Sequence, residues 1–231
     1  MAPNCRKYEE TLDATRKLLA PERNADVVLW LTNYLGGLGG TYSGGAFDRE
    51  VDHGHPNEFT QKDFDAVARL KVHVVKSAQL WLSGEGKAEA NHLLEDIPQD
   101  VDIWNVAEDH YAKVLGEDSP AWQLWKLLEG LQQEGQARRA GTGVTAGKLL
   151  HGKRPRLIPI FDREVVEPEL HVTDRNVWEA FWCTLRNVDI RERLNEIRES
   201  VPEAAHLSTL RVLDIIVWMS VKAGSGRGSS N

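Results

Sequence analysis

Hydrophobic residues in this chain recur almost everywhere at the three-to-four-residue spacing of a helix, and most of the runs open at a recognisable cap. Residues 8–19 and 26–35 read as two helices separated by Pro21 and Asn24. Thr60-Gln61-Lys62-Asp63 has the form of a capping box, in which the threonine and the acid three positions on satisfy each other's backbone amides, and it leads into Phe64, Val67, Ala68 and Val72. Further helices are expected over 74–82, 86–94 and 101–114. Ser119-Pro120 supplies an N-cap followed by proline at the first helical position, opening AWQLWKLLEGLQQE. Asp174 is placed to cap DRNVWEAFWCTLR, a charged helix (RERLNEIRES) follows, and Ser208 is placed to cap the apolar STLRVLDIIVWMSVK. No run alternates long enough to make a sheet, so the expected class is all-α, in one large domain or two small lobes.

Composition supports a packed core, since 41% of the 231 residues are apolar and eight are Trp. The expected extent is a helical domain over 1–222 and a flexible Gly/Ser-rich tail over 223–231. The longest apolar run, IIVWM at 215–219, is far too short to span a bilayer, and the first residues are charged almost at once; the expectation is a cytoplasmic protein with no membrane partner, and a monomer. Two cysteines, Cys5 and Cys183, are too few for a disulfide framework, and Cys183 between Trp182 and Thr184 reads as a packed thiol. Six glycines fall within 36–45, followed by AFDREVDHGHP, which reads as a long loop. It has neither the phosphate-loop pattern nor a preceding strand. Its aromatics Tyr42 and Phe47 are candidates for a substrate pocket, with ordinary packing as the alternative. Asp48, Asp52, His53 and His55 match no metal-ligand spacing and read as a solvated loop; no metal and no organic cofactor is expected. Trp122, Trp125 and Leu128 share one helical face and read as core.

Charge is distributed unevenly. The chain carries a net −7, yet 136–161 holds no acid and six cations: Arg138, Arg139, Lys148, Lys153, Arg154 and Arg156. Within it, Gly141-Thr142-Gly143 is a tight turn opening a helix that contains Thr145. Glycines allow close backbone approach and the first helical amides lack partners, so the turn suits a phosphate oxygen, with Lys148, Lys153 and Arg154 alongside. The proline-fixed run RPRLIPIFD then reads as a rigid arm that delivers Asp162, either to a reaction or simply as the N-cap of a following helix.

The pattern Gly141-x-Gly143, then Thr145-Ala146-Gly147, an apolar helix and Pro159-Ile160-Phe161-Asp162-x-x-Val165 resembles the core of the helix-hairpin-helix DNA glycosylases, over about 25 residues. The KLL-x-x-KRPRLIPI run also resembles an actinobacterial family of unassigned function. The glycosylase resemblance implies two helical lobes around a cleft, a hairpin gripping double-stranded DNA, and Asp162 as the catalytic carboxylate for hydrolysing the bond between a flipped base and its sugar. It implies base excision repair or defence against phage with modified bases. Val144 stands where the bifunctional branch has its lysine, and the usual Leu-Pro-Gly turn is replaced by residues 138–143, leaving the first hairpin helix open. Two other readings fit the same residues: a DNA-binding module without catalysis, and a helical protein-interaction domain.

Overall fold

The computed structural model describes residues 1–36, 42–133 and 142–227. Among these the chain is helical with no strand. In order come α1 (Glu9–Leu18), α2 (Asn24–Leu35), α3 (Phe47–Glu50), α4 (Gln61–Ala68), α5 (Lys76–Ser83), α6 (Lys87–Glu95), α7 (Tyr111–Leu115), α8 (Pro120–Gln133), α9 (Thr142–Lys153), α10 (Arg163–Leu170), α11 (Val177–Leu185), α12 (Val188–Glu199) and α13 (Thr209–Arg227), joined by short 3₁₀ turns. No helix among the described residues is long and apolar enough to cross a membrane.

The cap signals are realised where they are local. Thr60 and Asp63 form the capping box of α4. Ser119 Oγ accepts from Trp122 N at 3.2 Å to open α8, and Ser208 Oγ accepts from Arg211 N at 3.0 Å at α13. Three expectations change. Residues 101–114 form two 3₁₀ turns and the short α7, the turns being separated by extended backbone at Val106 and Ala107. Asn176, not Asp174, occupies the cap of α11, with its carbonyl turned back onto Thr173. Helix α13 runs on to Arg227, so 223–227 is helix and not free tail.

The chain divides into two compact units. The middle unit is Ala46–Ile160 with Met1–Ala2; the terminal unit is Pro3–Gly45 with Phe161–Asn231. In the middle unit α8 and α9 pair extensively, α4 lies on α9, and α5, α6 and α7 lie on α8. Leu124 and Leu128 of α8 meet a core that includes Leu149 and Leu150 of α9 and Leu94 of α6, all fully buried. In the terminal unit α13 packs against α2, α10 and α12, burying Leu210, Val212, Leu213, Ile215, Ile216 and Val217. Of the described glycines in the 36–45 stretch, Gly36 ends α2 in the left-handed region (φ 90°), and two serve close packing: a Cβ on Gly45 would meet Tyr34 O and one on Gly44 would meet Tyr34 Oη.

The terminal unit also corrects the reading of the cysteines. Cys5 and Cys183 form a disulfide, so neither is a free thiol. It fastens the chain's first turn to α11, where the buried Tyr8 hydroxyl also donates to Glu179 Oε2. Burial, then the hydrogen bond to Glu179, raises the Tyr8 phenol far above its ordinary value.

Candidate functional site

The α8–α9 pair is built around glycine. A Cβ on Gly143 would lie 2.8 Å from Trp125 Cζ2 and 3.1 Å from Glu129 Oε1, and one on Gly147 would lie 3.7 Å from Trp125 Nε1. Small residues at this four-residue spacing form a notch in α9 that receives the Trp125 indole. Thr142 starts α9, with Gln133 Nε2 donating to its hydroxyl at 3.4 Å, and Thr145 is buried. Gly141, with Arg138 and Arg139, lies outside the described residues. The turn glycine that is described thus accommodates an indole, and Thr145 turns into the unit.

The cations expected to face DNA are interior. Lys148, 5% exposed, donates to Leu70 O at 2.9 Å. Lys153 lies under the 52–63 segment, where its ammonium pairs with Asp63 Oδ2 at 2.6 Å and reaches the carbonyls of Asp52 (3.2 Å) and His55 (3.1 Å). Arg154 is fully buried: Nε donates to Ile97 O, Nη1 to Pro56 O and Lys153 O, and Nη2 to Asn57 Oδ1 (each 2.8 Å) and to Leu94 O. All five guanidinium protons are spent on the protein, a set that only a planar fork can supply. Burial lowers the Lys153 ammonium below its usual value against the opposing pull of Asp63, and pushes the Arg154 guanidinium down to about 10 against that of Asp100. Lys148, Lys153 and Arg154 are therefore structural cations, and a phosphate cannot replace their partners without opening the unit. The long stems of Lys and Arg pack like apolar residues, so a sequence cannot tell these from surface cations.

The same cluster corrects the view of the 48–55 segment as solvated. Asp52 is only 6% exposed and accepts from Thr60 Oγ1 (2.9 Å), His55 Nδ1 (3.0 Å) and Gly54 N (3.2 Å), while the His55 side chain is 61% exposed. Burial alone would raise the Asp52 carboxyl, but the hydrogen bonds from Thr60 and His55, with Lys62 and His55 nearby, outweigh it and hold the group below its ordinary range. Among the described residues no group of three His, Cys, Asp or Glu is placed to hold a metal.

The arm after α9 is anchored side chain by side chain. His151 Nδ1 lies 2.6 Å from Ile158 O, and Leu157, Ile158 and Ile160 are buried within the middle unit. Arg156 leaves the arm outward and pairs with Asp102 (Nε–Oδ1 3.0 Å, Nη2–Oδ2 2.5 Å). Asp162 is half-buried in the terminal unit, where it is the extended N-cap of α10 and its Oδ1 accepts from Glu164 N at 3.3 Å.

The two loop aromatics fall in different units. Phe47 is buried in the middle unit, its ring stacked 6.0 Å from that of His151. Tyr42 belongs to the terminal unit, between Tyr34 (6.3 Å) and Trp218 (5.3 Å). Conversely, Trp122 and Trp125 are not core; both are partly exposed and stacked on each other, centroids 5.1 Å apart at 19°. Their helical spacing matched a buried face, and nothing local showed that the face stops short of full cover.

One family model matches, over residues 27–221, with the description "family of unknown function" (DUF6308). The chain belongs to the DUF6308 family. No curated protein and no solved structure matches it. The DUF6308 match takes in α3 to α12 whole, with the α8–α9 pair, the buried cations, the arm and Asp162; Cys5 and α1 precede it.

Proposed function

We propose that this DUF6308 chain is a monofunctional DNA glycosylase in which Asp162 is the catalytic carboxylate. The observation that supports this best is the order helix α8, segment 134–141, helix α9, anchored arm and half-buried Asp162, which matches the order that the sequence resemblance implies. It makes α8 the first helix of the hairpin. A carboxylate on a fixed arm suits the chemistry. As the base leaves, positive charge grows on the sugar, and a preorganised negative group stabilises it while accepting a proton from the attacking water. Val144, half-buried in the first turn of α9, cannot form an imine, so excision proceeds without strand cleavage. With Lys148, Lys153 and Arg154 inside the fold, duplex is held through few phosphates, and the binding depends only modestly on salt.

The test is to incubate the protein with genomic DNAs of differing base modification and to assay the supernatant for free bases by mass spectrometry. The proposal predicts one released base, intact strands, and no covalent species on borohydride trapping. Release of no base from any DNA that the protein binds would favour a second reading, a DNA-binding module without catalysis. The bond from Glu164 N to Asp162 favours that reading, because a cap needs no further role.

A further inference from the structure

We propose that the Cys5–Cys183 bond is a redox latch: a dithiol opens it by attack on Cys5, and α1 is then released from α10 and α11. The proposal requires nothing of Asp162, so it stands apart from the preceding one. Cys5 and α1 precede residues 27–221, which the family model matches, whereas Cys183 lies within them. The bond therefore fastens a leading segment onto the matched body of the chain.

That segment has little besides the bond to hold it. In α1 the buried residues are Thr11, Thr15 and Leu18, with Tyr8 before the helix and Leu19 after it, whereas α13 buries a run of aliphatic side chains. Two threonines and a leucine remove little apolar area from water, and a helix of ten residues is marginal once undocked. The Thr15 hydroxyl donates back to Thr11 O at 2.8 Å, so it serves α1 itself and not the contact. The polar ties run from Tyr8 to Glu179, from Thr11 Oγ1 to Leu170 O (2.8 Å) and from Arg16 Nε to Asp189 Oδ2 (3.1 Å). The last is an exposed ion pair, which contributes little in water.

The two cysteines differ in access. Cys5 is exposed on its 3₁₀ turn and is followed by the exposed cations Arg6 and Lys7, while Cys183 is 5% exposed within α11. An incoming thiolate reaches Cys5 first, and the positive charge beside it favours both that approach and the later departure of Cys5 as a thiolate. The exchange balances within itself. One thiolate of the dithiol bonds to Cys5 Sγ as the Cys5–Cys183 bond breaks, and Cys183 departs as a thiolate and takes up a proton. The second thiolate of the reductant then displaces Cys5 and closes the reductant to a cyclic disulfide. The chain gains two electrons and two protons, all supplied by the dithiol.

The experiment follows hydrogen exchange of the full chain in its oxidised form, after dithiothreitol, and after reoxidation with glutathione disulfide. Thiols are counted at each stage by alkylation and intact mass. Reduction is expected to proceed without denaturant and to speed exchange across α1 about 10-fold or more, the scale of a typical cross-link's contribution. Helix α11 follows by less, α13 keeps its protection, and reoxidation restores α1. Cys5→Ser gives fast exchange of α1 with or without dithiothreitol. A bond that excess dithiothreitol leaves intact in the folded chain, α1 still protected once both thiols are counted, or α13 losing protection together with α1 would each overturn the proposal.

Discussion

The two units of this chain differ in how far their interiors rest on buried charge. The middle unit buries Asp52, Asp63, Asp102, Lys148, Lys153 and Arg154 and leaves its tryptophans partly open. The terminal unit buries three of its four tryptophans, lines α13 with aliphatic side chains around two buried charged residues, Arg211 and Asp214, and adds a disulfide across a sequence separation of 178. An apolar interior tolerates many substitutions of similar volume, whereas an ionic one fixes a single arrangement, because each charge taken from water needs its own partner. In the middle unit that arrangement is the 52–63 segment, tied through Lys153 and Arg154 to the end of α9 and so to the start of the arm.

The contrast is broken most forcefully at the buried cations. Arg154→Ala removes the donor to the carbonyls of Ile97 and Pro56, and Lys153→Ala leaves the Asp63 carboxylate buried without its cation. Lys153→Ala is expected to cost about 3–5 kcal/mol, as loss of one partner from a buried ion pair does. Arg154→Ala is expected to cost a similar amount, because buried acceptors that lose their donor cost about 1–3 kcal/mol each. Both are read as a drop in denaturant midpoint. Hydrogen exchange should place the loosening in 46–160. Pairing Lys153→Met with Asp63→Asn should recover much of the loss, which sets coupling apart from mere cavity formation. Cost below 1 kcal/mol for either single variant would mean that these cations are not integral to the unit.

A smaller effect is expected from the terminal unit's link. Cys5→Ser with Cys183→Ser removes a closure across most of the chain, and such bonds typically contribute about 2–4 kcal/mol. Loosening should fall in α1 and α11, leaving the exchange of 46–160 unchanged. A spread into α9 would dissolve the distinction between the units.

Acid sharpens the comparison with the least change. Asp52 is held below its ordinary value of 3.8, so the unfolded chain takes up its proton at a higher pH than the folded one. Its contribution is complete above that value and drains away as pH falls through it toward the folded value. Middle-unit stability should thus decline below about pH 4, and Asp52→Asn should flatten that limb. An unaltered acid limb in the variant would assign the decline to other carboxylates.

What the sequence disclosed follows the range of the forces involved. The capping box at Thr60, the caps at Ser119 and Ser208 and the helices they open are written in residues three or four apart, and they appear where expected. Residues 101–114 have helical periodicity, yet Val106 and Ala107 are extended and only Tyr111–Leu115 becomes α-helix. Lys148, Lys153 and Arg154 look like a phosphate-binding strip until Leu70, Asp63 and Pro56 arrive from remote segments. The Cys5–Cys183 pair is invisible for the same reason. Asp162 was legible because an arm and a cap are local features. The roles of cap and catalyst rest on the same atoms, and asparagine, which keeps the cap and loses the charge, separates them.

The most direct measurement is therefore on Asp162→Asn, made in parallel with the wild type on whichever DNA yields a free base. Asparagine keeps the size and serves as an N-cap nearly as well as aspartate, so α10 is retained and the melting temperature stays close to that of the wild type. Duplex affinity is likewise retained. Base release should fall about 10²-fold or more, the typical loss when one preorganised charge-stabilising group is removed. Release at the wild-type rate by the folded variant would contradict the assignment of Asp162 as the catalytic carboxylate and leave it as the cap of α10 alone.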